Sequence, residues 1–191
     1  MSMENTESTI IQPNIKFIEE ILLKKITVLN LNSPHDYRLL NRTKISKKFF
    51  VNNKINRPIY QKIFDDLTAN IPKQTAILKV WGREITIENS YQNIVVFDFF
   101  ELCGNNYSSA DYQQICQKYS IIFLKNIPKL TPDYLNEIRR FTLFIDEAYL
   151  RGNVIFFLSQ KSLKNYHEIT KYANYFSRTI SRINEIISDQ Y

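Results

Sequence analysis

Glycine is nearly absent: the chain of 191 residues holds three, Gly82, Gly104 and Gly152, and they are followed by Arg83, Asn105 and Asn153. A Walker A loop needs glycines whose backbone amides wrap the phosphates, followed by Lys and Ser or Thr, and a dinucleotide fingerprint needs clustered glycines too. Neither motif can be written onto this sequence. Cysteine is almost as scarce. Cys103 and Cys116 stand outside any paired metal spacing, and a chain of this length needs no disulfide staple, so a reducing, cytoplasmic location is expected. His35 and His167 are each isolated in turn-like surroundings with no Cys or His at ligand spacing, which argues for exposed loop histidines over a metal site. No run approaches the roughly 18 consecutive apolar residues of a membrane helix. The first apolar stretch, from Ile15, is broken by Lys16, Glu19, Glu20, Lys24 and Lys25, so neither a signal peptide nor an anchor is visible.

What is present suits a globular domain. The hydrophobic content of 44%, with 14% aromatic, is enough to build a core, and the mean hydropathy of -0.30 is too polar for a membrane protein. The net charge of +6 is unevenly placed. Arg42, Lys44, Lys47, Lys48, Lys54, Arg57 and Lys62 fall in a stretch without acid, which carries +7 and leaves 18 basic against 19 acidic residues elsewhere.

Residues 1–12 are polar and without period, the pattern of a frayed start. Ile15, Ile18, Ile21 and Leu22 then recur at helical spacing, and Ile26–Leu31 reads as a strand ending at Asn32-Ser33-Pro34. A helix is predicted from about Pro58 to Ala69, with Ile59, Ile63, Phe64 and Leu67 on its apolar face. Ala76–Val80 and Glu84–Glu88 read as a hairpin through Trp81-Gly82-Arg83, and Ile94–Phe99 as a strand buried on both faces. From here strand and helix alternate. A helix from Ser108 to about Tyr119 starts on a capping-box pair, Ser108 and Asp111, and is followed by the strand Ile121–Leu124. The next helix has Thr131 as cap, Pro132 at its first position and Gly152 as its stop, with Tyr134, Ile138, Phe141, Ile145 and Ala148 inward. Val154–Leu158 is another buried strand. A last helix from about Thr170 to Ser188 turns Tyr172, Phe176, Ile180, Ile183 and Ile187 inward. Such alternation from about residue 94 predicts an α/β fold with parallel strands, preceded by a smaller α+β part with the hairpin.

Three motifs imitate catalytic chemistry. Leu143-Phe144-Ile145-Asp146-Glu147 resembles a Walker B box but lies inside a segment of helical period, where Glu147 can pair with Arg151. The strand Ile121–Leu124 is better placed, yet Lys125 and Asn126 occupy its end, and a cation and an amide cannot hold magnesium. Asp65 and Asp66 are neighbours on a helix and point about 100° apart, so they read as a solvated edge instead of an acid/base pair.

The residues also carry a resemblance. Asp36-Tyr37-Arg38, Phe97-Asp98-Phe99-Phe100-Glu101-Leu102-Cys103, Ala110-Asp111-Tyr112, Asn136-Glu137-Ile138-Arg139-Arg140-Phe141 with Leu143–Asp146, and Phe176-Ser177-Arg178-Thr179-Ile180-Ser181-Arg182 occur in the order seen in ZapE-type, or AFG-one-like, ATPases. Over about Ile15–Tyr191 the chain is similar to their C-terminal part. The resemblance implies an AAA+-related P-loop ATPase family, with bacterial members in cell division near the tubulin-like division ring and mitochondrial members in protein quality control at the inner membrane. It implies ATP and magnesium for a complete family protein, whose Walker A, Walker B and first sensor lie upstream of the position matching Ile15. Residues 1–40 would hold a remnant of that core and 41–191 the C-terminal α/β domain. The 191 residues are then expected to be non-catalytic alone, a truncated product or half of a split pair whose partner carries the P-loop. The resemblance also singles out Arg139, Arg140, Arg178 and Arg182 as candidate sensor or finger arginines, since a guanidinium stays charged and its fork fits phosphate oxygens. Lys125, Asn126, Gln160–Asn165 and Ser177 depart from the family pattern. A second reading is a non-enzymatic anion-binding or protein-interaction module using residues 42–62, where Phe49, Phe50 and Tyr60 interleave with the cations. No RNA-binding fold signature accompanies that segment, so nucleic acid is not expected as the partner.

Overall fold

The computed structural model describes residues 47–188. The polar start, the helix expected from Ile15, the strand expected at Ile26–Leu31, His35, Arg42 and Lys44 lie outside the described residues. The six strands and five α-helices described run β1 (Phe49–Val51), α1 (Asn56–Thr68), β2 (Gln74–Val80), β3 (Arg83–Tyr91), β4 (Ile94–Asp98), α2 (Phe99–Cys103), α3 (Ser109–Lys118), β5 (Ile121–Ile127), α4 (Leu135–Arg151), β6 (Val154–Ser159) and α5 (Phe176–Ser188).

One sheet takes in all six strands, in the order β1-β6-β5-β4-β3-β2. β4, β5, β6 and β1 are mutually parallel, with Val95 beside Ile122, Ile122 beside Ile155, and Phe50 beside Leu158. β3 runs antiparallel to β4 and to β2, so the hairpin predicted as part of a smaller α+β region extends the same sheet. β1 was not predicted. It is three residues long and sits among cations, too short for a period to show.

The strands separate two apolar layers by the alternation of their side chains. Ile122, Leu124, Ile155 and Phe157 face a large cluster built with α2, α3, α4 and α5. Ile121, Phe123, Val154, Phe156 and Leu158 face the other way, where α1 contributes Tyr60 and Leu67. Phe123 stacks on Phe156 at 4.7 Å between ring centroids, while Tyr60 and Phe64 meet Phe123 edge-on at 5.5 and 5.2 Å. Every residue of β6 is buried, as its unbroken apolar run predicted.

Local chemistry fixes the element ends. The predicted capping box forms: Asp111 accepts from the Ser108 amide at 2.6 Å and from its hydroxyl at 2.7 Å. Asp98 and Glu101 make a second one at the start of α2. Around the hairpin turn, Trp81 and Gly82 have φ of 46° and 83°, the pair of positive values that a two-residue loop of the mirror-image class requires. Two expectations shift. Helix α4 begins at Leu135 because Pro132–Tyr134 winds as a tighter 3-10 turn. The last helix begins at Phe176, not Thr170, since residues 163–171 form a 3-10 segment; Tyr172 is therefore 63% exposed instead of inward, while Phe176, Ile180 and Ile183 are buried.

Gly152 stops α4 in the left-handed region at φ 68°, and the Asn153 amide returns to the Ala148 carbonyl at 3.0 Å. A side chain there is strained, so Gly152→Ala is expected to lower stability by about 1 kcal/mol with secondary structure intact. Chemical denaturation of the two proteins measures it; equal midpoints would show that the turn relaxes without cost.

Candidate functional site

In parallel α/β sheets, ligands gather outside the carboxyl ends of the strands. Here those ends are supplied by Asp98 of β4, Lys125 and Asn126 of β5 and Ser159 of β6. Three of these four side chains are already occupied. Asp98 accepts the Phe100 amide at 3.1 Å as the cap of α2, and its second oxygen takes the Asn126 side-chain amide at 2.6 Å. Asn126 reaches it from φ 58°, in an interruption of the pairing between β5 and β6. The Asp98 amide donates in turn to the Glu101 carboxylate at 3.2 Å. Its pKa is raised from the ordinary carboxylate range, first by burial, and the Asp98 amide and Lys125 oppose that shift. Ser159 is buried against the Tyr166 hydroxyl at 2.8 Å. Among the described residues no group of three His, Cys, Asp or Glu could hold a metal ion. An edge with one acid spent on a cap, a lysine and an amide does not fit magnesium, and no glycine loop stands nearby to receive phosphate. Among the described residues, the side chains at this edge do not make a magnesium site.

The four candidate arginines are placed differently. Arg139 is exposed and has no ion-pair partner among the described residues. Arg140 donates to the Cys103 carbonyl at 3.1 Å and to Asn106 Oδ1 at 2.8 Å, tying α4 to the loop after α2. Arg178 and Arg182, one turn apart on α5, both pair with Asp146 of α4. The Arg178 contact is 2.7 Å. Arg182 also lies over the Tyr149 ring at 5.3 Å, and the Tyr149 hydroxyl donates to Glu185. Beneath this surface array the Thr142 and Thr179 hydroxyls meet at 3.1 Å. Asp146, the acid of the Walker-B-like sequence, therefore lies on a helix and clamps α5, while Glu147 approaches Arg151 at 4.0 Å as its spacing predicted. Arg182 thus pairs with Asp146 on the neighbouring helix and not with Glu185 on its own.

The basic segment also divides. Lys48 is buried, and its ammonium donates to the Ile186 carbonyl at 3.0 Å in the last turn of α5, where a cation opposes the negative end of the helix dipole. It is thereby removed from the exposed anion contacts. Lys47 bonds Asn56 Oδ1 at 3.0 Å and lies over the Phe50 ring at 5.1 Å. Lys54, Arg57 and Lys62 are exposed, but on α1 the two cations share the surface with exposed Asp65 and Asp66. His167 is exposed as expected, though it lies in the 3-10 segment of residues 163–171 and not in a loop. Burial pushes both thiols, Cys103 and Cys116, well up, so neither is a reactive thiolate. Arg83 was not singled out from sequence: it reaches from the hairpin to the buried carboxylate of Asp111. Twenty-eight residues separate the two, and no local pattern links them.

A mostly parallel sheet, covered by helices and closed by an antiparallel hairpin, places the chain in the mixed α/β class. Comparison with known proteins gives the family. Residues 11–191 match the family model of the AFG1-like ATPases, and the chain belongs to that family. It is 30% identical over 142 residues to an uncharacterized protein of Schizosaccharomyces pombe, covering 72% of this chain and 30% of that one. It is 24% identical to the Lactation elevated protein 1 homolog B of Danio rerio, covering 68% and 26% respectively. With the cell division protein ZapE of Escherichia coli K12 it shares 23% identity over 86% of this chain and 44% of ZapE. The chain thus spans under half the length of each of these relatives. No solved structure matches it.

The contact between α4 and α5 generates a prediction. Asp146→Ala leaves two guanidinium groups unpaired, and because the array is partly exposed the loss expected is about 1 kcal/mol. Arg182→Ala is expected to cost more than Arg178→Ala, since the Arg182 side chain is 26% exposed and that of Arg178 60%. In the Asp146→Ala background both should become nearly silent. Urea midpoints of the six proteins decide it; undiminished arginine effects without Asp146 would dissolve the clamp.

Proposed function

We propose that these residues are the C-terminal domain of an AFG1-like ATPase that does not bind or hydrolyse ATP by itself, residues 41–191 forming that domain, and that its role is exercised on a P-loop segment supplied in the assembled enzyme. The observation that carries this is the family match over residues 11–191 in a stretch whose three glycines never precede a lysine. The capped acid and the lysine at the carboxyl edge of the sheet support it. Because the match to ZapE spans most of this chain, cell division, in the cytoplasm, is the context we infer. Among the described residues no helix is long and apolar enough to cross a membrane.

Within that reading the guanidinium groups are the side chains suited to nucleotide chemistry. Arg139 is the most available, whereas Arg178 and Arg182 would have to exchange Asp146 for phosphate oxygens. A charged planar fork makes that exchange chemically feasible, since carboxylate and phosphate present similar paired acceptors. The anion-binding alternative draws less support, with Lys48 buried and Asp65 and Asp66 beside Lys62.

Calorimetric titration with Mg-ATP, run alongside phosphate release, tests the proposal. The chain alone is expected to give no binding heat and no turnover above a heat-treated control; micromolar affinity with turnover would overturn it. Co-expression with a P-loop half from a ZapE-type protein is expected to yield turnover that Arg139→Ala lowers at least tenfold, about 1.4 kcal/mol in transition-state terms.

A further inference from the structure

Two guanidinium groups brought to one point repel each other, and an anion between them offsets that repulsion. Asp146 supplies the anion. Its Oδ2 accepts from Arg178 at 2.7 Å and its Oδ1 from Arg182, so each carboxylate oxygen is taken by a different arginine. The convergence of the two arginines does not depend on that carboxylate, because α5 is held against α4 from beneath. There the Thr179 and Thr142 hydroxyls meet at 3.1 Å, and Phe176, Thr179, Ile180 and Ile183 are buried. Arg182 is further steadied over the Tyr149 ring. The neighbouring acids are engaged elsewhere: Glu185 accepts from the Tyr149 hydroxyl, and Glu147 lies 4.0 Å from Arg151. Solutes can reach the shared acceptor, since the side chains of Arg178 and Asp146 both keep solvent contact.

We propose that Arg178 and Arg182 form a receptor for phosphoryl oxygens that Asp146 occupies as an internal competitor, an autoinhibitory contact within the domain. The inference rests on the reading that these arginines meet phosphoryl groups in the assembled enzyme, and it names what withholds them beforehand. Carboxylate and phosphoryl groups offer a guanidinium fork the same paired acceptors, so one can replace the other without moving the helices. A carboxylate fixed on the adjoining helix competes at an effective concentration of about millimolar or above. Free phosphate compounds at lower concentration are therefore kept off. A phosphoryl group held in place by another part of the assembly meets no such disadvantage, and its greater charge favours the exchange.

Calorimetric titration of the complete chain with inorganic pyrophosphate tests the contact. Asp146→Asn keeps the shape of the side chain and removes its charge, and it is expected to tighten the dissociation constant at least tenfold over wild type, about 1.4 kcal/mol. Asp146→Ser is a second uncharged variant expected to do the same, and thermal midpoints show that both chains are folded. Adding Arg178→Gln or Arg182→Gln to Asp146→Asn is expected to abolish the gain. Glu185→Gln takes an equal charge from the same surface without freeing the acceptor position, and its effect is expected to stay below about threefold. ADP is expected to bind like pyrophosphate, because the pair reads phosphoryl oxygens and no other part of a nucleotide. No gain in either uncharged variant, a gain that survives loss of the arginines, an equal gain from Glu185→Gln, or ADP bound ten times tighter than pyrophosphate would each overturn the proposal. All are read on pyrophosphate and ADP binding, apart from turnover in the reconstituted enzyme, which tests the reading above.

Discussion

The structure depends on the double-sided burial of β5 and β6. Each inserts aromatic and branched side chains into both layers, and Phe123 and Phe156 bring the α1 side together while Leu124 and Phe157 face the four helices opposite. Removing one buried aromatic ring from such a core costs on the order of 3–5 kcal/mol, a large share of a domain's whole stability. With so much apolar surface committed, the strand order and helix placement are strongly constrained: shifting either strand by one residue would exchange the two layers' side chains. The hairpin, by contrast, is anchored chiefly on one face, through Leu78, Val80, Ile85 and Ile87, and touches the α1 layer through Tyr91 at its base, edge-on to Phe64.

Charged groups in this domain act chiefly as ties between elements. Arg83 fastens the hairpin to the cap of α3, Arg140 holds the loop after α2, Lys48 closes the end of α5, and Asp146 gathers Arg178 and Arg182. Most of the polar chemistry that could be mistaken for an active site is thereby engaged in holding the layers in place. The chain spans under half the length of the curated relatives it matches.

Much of this was legible in the sequence because it is written at short range. The strand read at Ile94–Phe99 shows a nearly continuous apolar run and those at Ile121–Leu124 and Val154–Leu158 unbroken ones, α4 shows its stripe and its stop at Gly152, and the Ser108–Asp111 cap shows its spacing. What was hidden lies in contacts between distant residues. Lys48 looked like one more cation of a basic run, yet its partner Ile186 is 138 residues away. Asp146 looked like a solvated helix acid, yet its arginines are 32 and 36 residues on. Tyr172 fitted a helical period that the chain abandons at a 3-10 segment. The candidate arginines were found through family likeness, and only geometry separates exposed Arg139 from the engaged three.

Native-state hydrogen exchange tests the dependence on β5 and β6 most directly. Amides of Ile122–Leu124 and Ile155–Phe157 are predicted to exchange last, through global unfolding alone, with β2 and β3 opening earlier through local fluctuations. Slowest exchange in the hairpin or in α5, with β5 and β6 amides exchanging ahead of them, would contradict the account.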